Sequence, residues 1–386
     1  MRFRSLATAS LVLIAQPSFA AERWPYGREA IEAFKAGDIG TAAVVLRREL
    51  ARCEASKPAA DECLDLLLGL SNVAHAAGYP DSAEGYARRA LAIVERFLPA
   101  EGEDAAVAWN NLASTIGAQG RYAEAEPLLR RSITMREKIL PARHSLIAMG
   151  WSNLAHNLSG QGRHAEAEPI YRLALRLSEA AFPAGHPSIA ANFNSLAANI
   201  GAQGRYAEAE PLHRKALALR QAALSPEHPE IVASLGELAF NLNAQHRYVE
   251  AEGLYRQALA LAEQMRTKDL PVVASIMYNL AYNLAAQRRW PEAKRLLFET
   301  VKRRARLPAT HRDRIYSLLS MASIMQVRTE DPQSVRYLFG LARDGAMERL
   351  RTYSSFDPTA QGQLREFRPI FTGQVRAAWD LSEQAR

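Results

Sequence analysis

The chain has 386 residues, of which 48% are hydrophobic and 23% are charged. This balance is typical of a folded protein and excludes a largely disordered chain. The formal net charge is +7, and loss of an amino-terminal leader with two arginines would leave +5. An excess this small does not indicate a nucleic-acid-binding protein.

The first twenty residues have the pattern of a cleaved secretory signal. Two arginines precede an apolar stretch from Ser5 to Ala15, which is too short to span a bilayer. The segment ends in small-x-small form at Ser18-Phe19-Ala20, so cleavage is expected after Ala20. We therefore expect a signal peptide over 1–20 and a periplasmic or secreted mature protein without a membrane span. A retained amino-terminal anchor is the alternative.

Export affects how the two cysteines are interpreted. Cys53 and Cys63 are the only cysteines in the chain, and in an oxidising compartment such a pair can form a disulfide. A bridge that closes so short a loop would restrict the unfolded chain by roughly 2–3 kcal/mol. The alternative is two independent thiols on helices. No metal site is expected from two cysteines with no histidine between them.

The central part of the chain repeats itself every 42 residues. Leu-Ala pairs occur at Leu112-Ala113, Leu154-Ala155, Leu196-Ala197, Leu238-Ala239 and Leu280-Ala281. Single alanines occur with the same step at Ala125, Ala167, Ala209, Ala251 and Ala293. A period of this length is typical of repeat architectures.

Each repeat predicts a pair of helices. Trp109, Leu112 and Ile116 lie at i, i+3 and i+7, which places them on one face of a first helix. Gly120 supplies a helix stop, and Tyr122 opens a second helix. Such a hairpin cannot bury its apolar face alone, so neighbouring hairpins must pack together in a row. We therefore predict an all-α fold.

The order of aromatic, Leu-Ala, Gly, Tyr and Ala positions resembles the tetratricopeptide repeat. The longer period, the Glu-Ala-Glu early in the second helix, and the pairs His186-Pro187 and His228-Pro229 are similar to the kinesin-light-chain type. The resemblance implies a right-handed α-solenoid of stacked helical hairpins, with the first helices along a concave groove. It also implies a binding scaffold for a protein or peptide partner.

The repeat weakens at both ends. We expect a degraded first hairpin over 21–64, the repeat array over 65–330, and a helical tail or cap over 331–386. The stretch 365–384 is similar to the linker that joins such repeats to a CHAT-type peptidase in bacterial proteins, although the peptidase itself is missing.

Motifs for chemistry are absent from the sequence. There is no phosphate-binding loop, no HExxH and no CxxC. His144, His186 and His228 share the repeat spacing, but hairpins that pack roughly 10 Å apart cannot bring three imidazoles to one metal. We therefore expect no catalytic residues, no cofactor and no metal, and a protein that is not an enzyme.

Two asparagine columns on the first helices are candidates for binding a peptide backbone, because a side-chain amide both donates and accepts hydrogen bonds. The candidates are Asn111, Asn153 and Asn279 in the first column, and Asn157, Asn199, Asn241 and Asn283 in the second. Tyr278 and Tyr282 lie on or beside the same face. The alternative is that the amides bond between hairpins and align them.

The leading hypothesis is an exported protein-interaction scaffold that binds a peptide or partner segment in the groove. The alternative is a non-catalytic regulatory portion of a split or decayed CHAT-type protease system. The segment 288–314 has ten Lys/Arg and three Asp/Glu, which can attract an anionic partner or simply form a solvated helix face. The sequence does not fix the partner or the oligomeric state.

Overall fold

The structure is a computed structural model that describes residues 28–35, 38–55, 63–76, 79–97, 102–264, 271–327, 331–351, 364–365 and 367–373. Within these ranges the regular structure is entirely helical, which confirms the predicted all-α class. Sixteen helices carry labels: α1 Arg28–Lys35, α2 Ile39–Ala55, α3 Leu64–Ala76, α4 Pro80–Phe97, α5 Glu103–Ala118, α6 Tyr122–Ile139, α7 Ser145–Gly160, α8 His164–Ala181, α9 Pro187–Ala202, α10 Tyr206–Ala223, α11 Pro229–Ala244, α12 Tyr248–Gln264, α13 Pro271–Ala286, α14 Trp290–Arg304, α15 Arg312–Val327 and α16 Pro332–Arg351.

The chain divides into two compact units, one that ends at Ala223 and one that begins at Leu224. In the amino-terminal unit, α1 to α10 form five consecutive antiparallel hairpins. The first helices of the last three hairpins begin at Glu103, Ser145 and Pro187, and so repeat every 42 residues. Sequence period and structural period are therefore the same.

In the carboxy-terminal unit, α11 to α16 form three further hairpins. The predicted end of the array at residue 330 falls inside the last of them, because α16 packs on α15 as its second helix. The first helix of this hairpin, which contains Met321-Ala322, is one residue short of the 42-residue register, whereas its second helix keeps that register. Helical residues 367–373 follow, with Phe367 and Ile370 fully buried.

The hairpins pack closely because the same small side chains recur where helices meet. Ala125, Ala167 and Ala209 are completely buried, and the Leu-Ala pairs of the first helices lie beside them in the same core. An alanine at this position lets two helix backbones approach without leaving a void. The repeat columns therefore specify the core.

The turn inside each hairpin needs one residue with a left-handed backbone conformation, that is, a positive φ. Gly120, Gly162 and Gly204 have φ values of +83°, +79° and +83°, as expected for the residue that ends the first helix. His246 and Arg288 adopt the same region at +64° and +62° in the later repeats. The turn geometry is thus kept even where glycine is lost.

The repeated histidines cap the first helices. Nδ1 of His144, His186 and His228 accepts a hydrogen bond from the backbone N–H two residues later, at 3.2 Å in each case. Each ring satisfies one of the free donors at a helix start. This role shapes the loop before each first helix and needs no metal.

A disulfide joins the end of α2 to the residue before α3. Cys53 and Cys63 are bridged, with their Cα atoms 5.9 Å apart. The bridge fixes the connection between the first two hairpins, where the repeat pattern is weakest. The predicted signal peptide lies outside the described residues, and no described helix is both long and apolar enough to cross a membrane.

A buried histidine connects α9 and α10. His213 is fully enclosed, and its Nδ1 lies 2.8 Å from the amide oxygen of Asn194, which can only accept. Burial, followed by the charge of Arg220, lowers the pKa of His213 from 6.5 to about 4. The folded chain therefore holds this imidazole in its neutral form at neutral pH.

This burial predicts a loss of stability in acid. Below pH 6.5 the unfolded chain takes up a proton at His213, whereas the folded chain does so only near pH 4, so protonation favours unfolding in that window. We expect this residue to lower the free energy of unfolding by up to about 3 kcal/mol between pH 7 and pH 4. Urea unfolding of wild type and His213→Gln across this range measures the difference. Identical pH dependence of the two proteins would contradict the assignment.

Candidate functional site

Successive hairpins are joined by a repeated polar contact, here called the carboxylate ladder. Its simplest example is Glu126 on α6, which accepts hydrogen bonds from Gln161 at 2.8 Å and from Arg163 at 2.7 Å. Both donors belong to the turn after α7, in the next hairpin. Glu84 and Glu168 are held in the same way by Gln119 with Arg121 and by Gln203 with Arg205.

The carboxylates of the ladder are partly shielded from water. The side chain of Glu168 is 9% exposed, whereas that of Arg205 is 41% exposed. Burial alone would raise the pKa of Glu168, but hydrogen bonds from Gln203, Arg172 and Arg205 outweigh it and lower the pKa. The carboxylate is therefore ionised at neutral pH, and each charge-assisted contact is stronger than a neutral one.

The carboxy-terminal unit contains the same contact. Glu252 on α12 accepts from Gln287 at 2.9 Å and from Arg289 at 2.8 Å. Gln and Arg recur two residues apart in every turn from residue 119 to residue 289, at the repeat spacing. This repeated Gln-x-Arg pair is the sequence signal from which the ladder could have been predicted.

The second asparagine column belongs to this ladder. Asn157 and Asn199 are only 3% and 2% exposed, and their side-chain oxygens accept from Gln161 at 2.9 Å and Gln203 at 3.2 Å. Asn199 also donates to Ser159 of the preceding hairpin at 3.3 Å. These amides orient the glutamines that hold the carboxylates.

Asn241 and Asn283 are buried in the same way in the carboxy-terminal unit. They accept from Gln245 at 2.8 Å and from Gln287 at 2.7 Å. Asn283 also donates to Asn243 on α11 at 2.9 Å. Because their polar atoms serve contacts within the protein, the structure favours alignment of hairpins for this column over contact with a ligand.

The exposed positions of the first helices lie about 40° around the helix from the buried asparagine column. We name this surface the first-helix face. In the amino-terminal unit it repeats at i, i+4, i+7 and i+11 of α5, α7 and α9, whereas α3 holds Asp65 at the first of these positions. Its members are Val107, Asn111, Ser114 and Ala118 on α5, Met149, Asn153, His156 and Gly160 on α7, and Ala191, Ser195, Ala198 and Ala202 on α9. All except Asn111 are at least partly exposed.

This face carries no side chain that is charged at neutral pH. None of its twelve members is Asp, Glu, Lys or Arg, although these make up 23% of the chain. Burial lowers the pKa of His156, so its ring is neutral at neutral pH as well. The second helices, by contrast, present ion pairs such as Glu126 with Arg130 to solvent.

The first asparagine column lies on this face. Asn111 is nearly buried, whereas Asn153 is partly exposed and donates to Asn110 of the preceding hairpin at 2.9 Å. Of the two predicted columns, only this one borders the open surface.

The corresponding face of the carboxy-terminal unit is bulkier. It includes Glu237, Phe240, Asn279 and Tyr282, all partly exposed. Tyr278 lies beside them, and its hydroxyl is 2.8 Å from that of Ser320 on the next first helix. Tyr278 thus links two hairpins, whereas Asn279 and Tyr282 border the open surface.

No group of three or more potential metal ligands comes together among the residues that the structure describes.

The comparisons with known proteins define the repeat class. Residues 104–180 and 187–264 match one family model and residues 273–307 match another, and both are described as tetratricopeptide repeat. These matched segments coincide with the hairpins from α5 to α14. The chain therefore carries tetratricopeptide repeats, which confirms the resemblance seen in its sequence.

Solved structures that match this chain include kinesin light chain nearly identical TPR-like repeats from Podosopora anserina, with 26% identity, a TM-score of 0.45, and coverage of 53% of this chain and 97% of that one. The apo form of RapI matches with 15% identity, a TM-score of 0.55, and coverage of 74% and 98%. A Rap protein complexed with competence and sporulation factor matches with 13% identity, a TM-score of 0.50, and coverage of 79% and 98%. The two Rap structures support the fold alone.

A search of curated proteins finds no match to this chain. The similarity of residues 365–384 to a CHAT-protein linker stays a prediction, because none of the matches bears on it.

The buried asparagines yield a stability prediction. Asn199→Ala removes the acceptor for Gln203 and the donor to Ser159, so two hydrogen bonds are lost beside the interface between hairpins. We expect a loss of about 1–2 kcal/mol in the free energy of unfolding, measured by urea titration. Ser195→Ala, four residues earlier on the first-helix face, is the matched control and should change stability by less than about 0.5 kcal/mol. Equal effects of the two substitutions would argue against the alignment role.

Proposed function

We propose that the protein is an exported, non-catalytic scaffold that binds an uncharged, largely apolar partner segment along the first-helix face of its amino-terminal unit. The observation that carries the proposal is the absence of charge from all twelve positions of that face. A charged partner segment would lose its hydration there without gaining an opposite charge. An apolar segment gains from burial against Val107, Met149 and the alanines.

The small side chains of the first-helix face also support binding of an uncharged, largely apolar segment. On α9 the face consists of Ala191, Ser195, Ala198 and Ala202, so the helix backbone lies close to the surface. Small residues leave room for larger side chains from the ligand. Asn153 can meanwhile contact a peptide backbone through its carbonyl oxygen, which gives a grip with little dependence on the partner's sequence.

Two observations support export. The amino terminus has the charged, apolar and small-residue regions of a secretory signal. Cys53 and Cys63 are joined in a disulfide, and such bonds persist mainly in oxidising compartments such as the periplasm. We therefore propose that the partner is met outside the cytoplasm.

The experiment is a selection of dodecapeptides from a random display library on the immobilised protein. The enriched peptides should be uncharged and rich in apolar residues. Binding of a fluorescent copy of one such peptide is then measured on Ala198→Glu/Ala202→Glu, which places two carboxylates on the face. We expect the dissociation constant to rise at least about tenfold, because each carboxylate must be desolvated when the peptide binds.

The matched control is Ala165→Glu/Ala207→Glu, which adds the same charges at exposed positions of α8 and α10. It should bind as wild type does, and circular dichroism should show that both variants are folded. Selection of strongly acidic or basic peptides, or equal binding by the two variants, would overturn the proposal.

A further inference from the structure

The outer side of the second helices from α4 to α12 carries a repeated ion pair that α14 and α16 lack. An arginine one turn after the ladder glutamate pairs with it, as in Arg130 with Glu126 at 2.8 Å and Arg256 with Glu252 at 2.7 Å. The same pair occurs at 84/88, 168/172 and 210/214. In α14 the two positions hold Lys294 and Phe298.

This exchange exposes an aromatic ring among cations. The side chain of Phe298 is 63% exposed. Arg295 and Lys302 lie three residues before it and four residues after it, so they share its helix face, and both are exposed. The two acidic residues of α14 are already engaged, Glu292 by Arg289 and Glu299 by Arg303.

The next second helix extends the surface. Val335 on α16 is buried 42 residues after the buried Ala293, so the two helices are in register. In that register Tyr337 occupies the place of Arg295, and it is 66% exposed. Arg336 and Leu341 beside it are exposed as well. The outer C-terminal face is the name used below for these six residues: Arg295, Phe298 and Lys302 on α14, and Arg336, Tyr337 and Leu341 on α16.

We propose that the outer C-terminal face binds the surface of a bilayer that contains anionic phospholipids. Exposed aromatic rings and cations on one helix layer match the boundary between headgroups and acyl chains. Lys and Arg gain from the negative surface, while the rings enter the apolar edge. A soluble polyanion would satisfy the cations but would leave Phe298 and Tyr337 in water.

The binding would be peripheral. No described helix can cross a membrane, and α14 has only 15 residues. The surface shares no residue with the first-helix face, because it consists of second helices only. The proposal therefore does not depend on the identity of the peptide partner.

The test is cosedimentation of the full chain with vesicles of phosphatidylcholine alone and of an equal mixture with phosphatidylglycerol. We expect binding to the mixed vesicles that weakens as salt is added. Arg295→Gln/Lys302→Gln should lower the partition coefficient by about 25-fold, or about fivefold for each charge. Phe298→Ser should lower it several-fold, and Phe298→Trp should retain it.

The controls keep the same amino terminus, so that any contribution of residues 1–20 is common to all proteins. Arg130→Gln/Arg214→Gln removes two cations from second helices of the amino-terminal unit, and Val249→Ser removes an apolar side chain that is 78% exposed on α12. Both should bind as wild type does.

Three results would overturn the proposal. The first is equal binding to neutral and mixed vesicles, or to neither. The second is equal binding by wild type and the α14 variants while circular dichroism shows them folded. The third is tighter binding of fluorescent poly-glutamate than of the mixed vesicles, which would identify an acidic polypeptide as the partner instead.

Discussion

The carboxylate of one hairpin, held by the glutamine and arginine of the next turn, is the contact on which the repeat arrangement depends. It spans 35 residues to the glutamine and 37 to the arginine, so it can form only when neighbouring hairpins keep a fixed offset. Apolar packing supplies most of the free energy but is tolerant of small slips, since it is not directional. The ladder adds direction, and the partial burial of its glutamates makes each contact worth more than a surface ion pair.

This ladder also explains how polar groups are distributed. The amides of Asn157 and Asn199 are used to orient Gln161 and Gln203, and the charged groups gather on the turns and second helices. On α5, α7 and α9 the first-helix face is left without charge. A scaffold built in this way can keep its hairpins aligned through one set of residues while another set is free to vary with the partner. On α14 the repeat positions of the Glu/Arg ion pair hold Lys294 and Phe298 instead.

Much of the fold could be predicted from the sequence, because the 42-residue period fixes helix phase, turn position and core columns together.

The site was harder to predict. The two asparagine columns are four residues apart, which is a rotation of about 40° around a helix. That angle is enough to place Asn153 at the open surface and Asn157 in the interface between hairpins, with 3% exposure for the latter. Which of them is buried depends on how hairpins approach one another, and a single helix does not contain that information. The pairing of α15 with α16 was not predicted, because Met321-Ala322 is one residue short of the repeat register. The partner could not be predicted at all, since repeat columns encode packing and the ligand is chosen by the residues that packing leaves free.

The central claim, that the first-helix face of the amino-terminal unit is the partner-binding surface, is tested most directly by site-specific photocrosslinking. A photoreactive amino acid is placed at Ala198 on that face or at Ala207 on the exposed side of α10, and each protein is irradiated in the cells that produce it. The account predicts a defined crosslinked partner from position 198 and none from position 207. Crosslinking from position 207 alone would place the partner on the second helices and contradict the account.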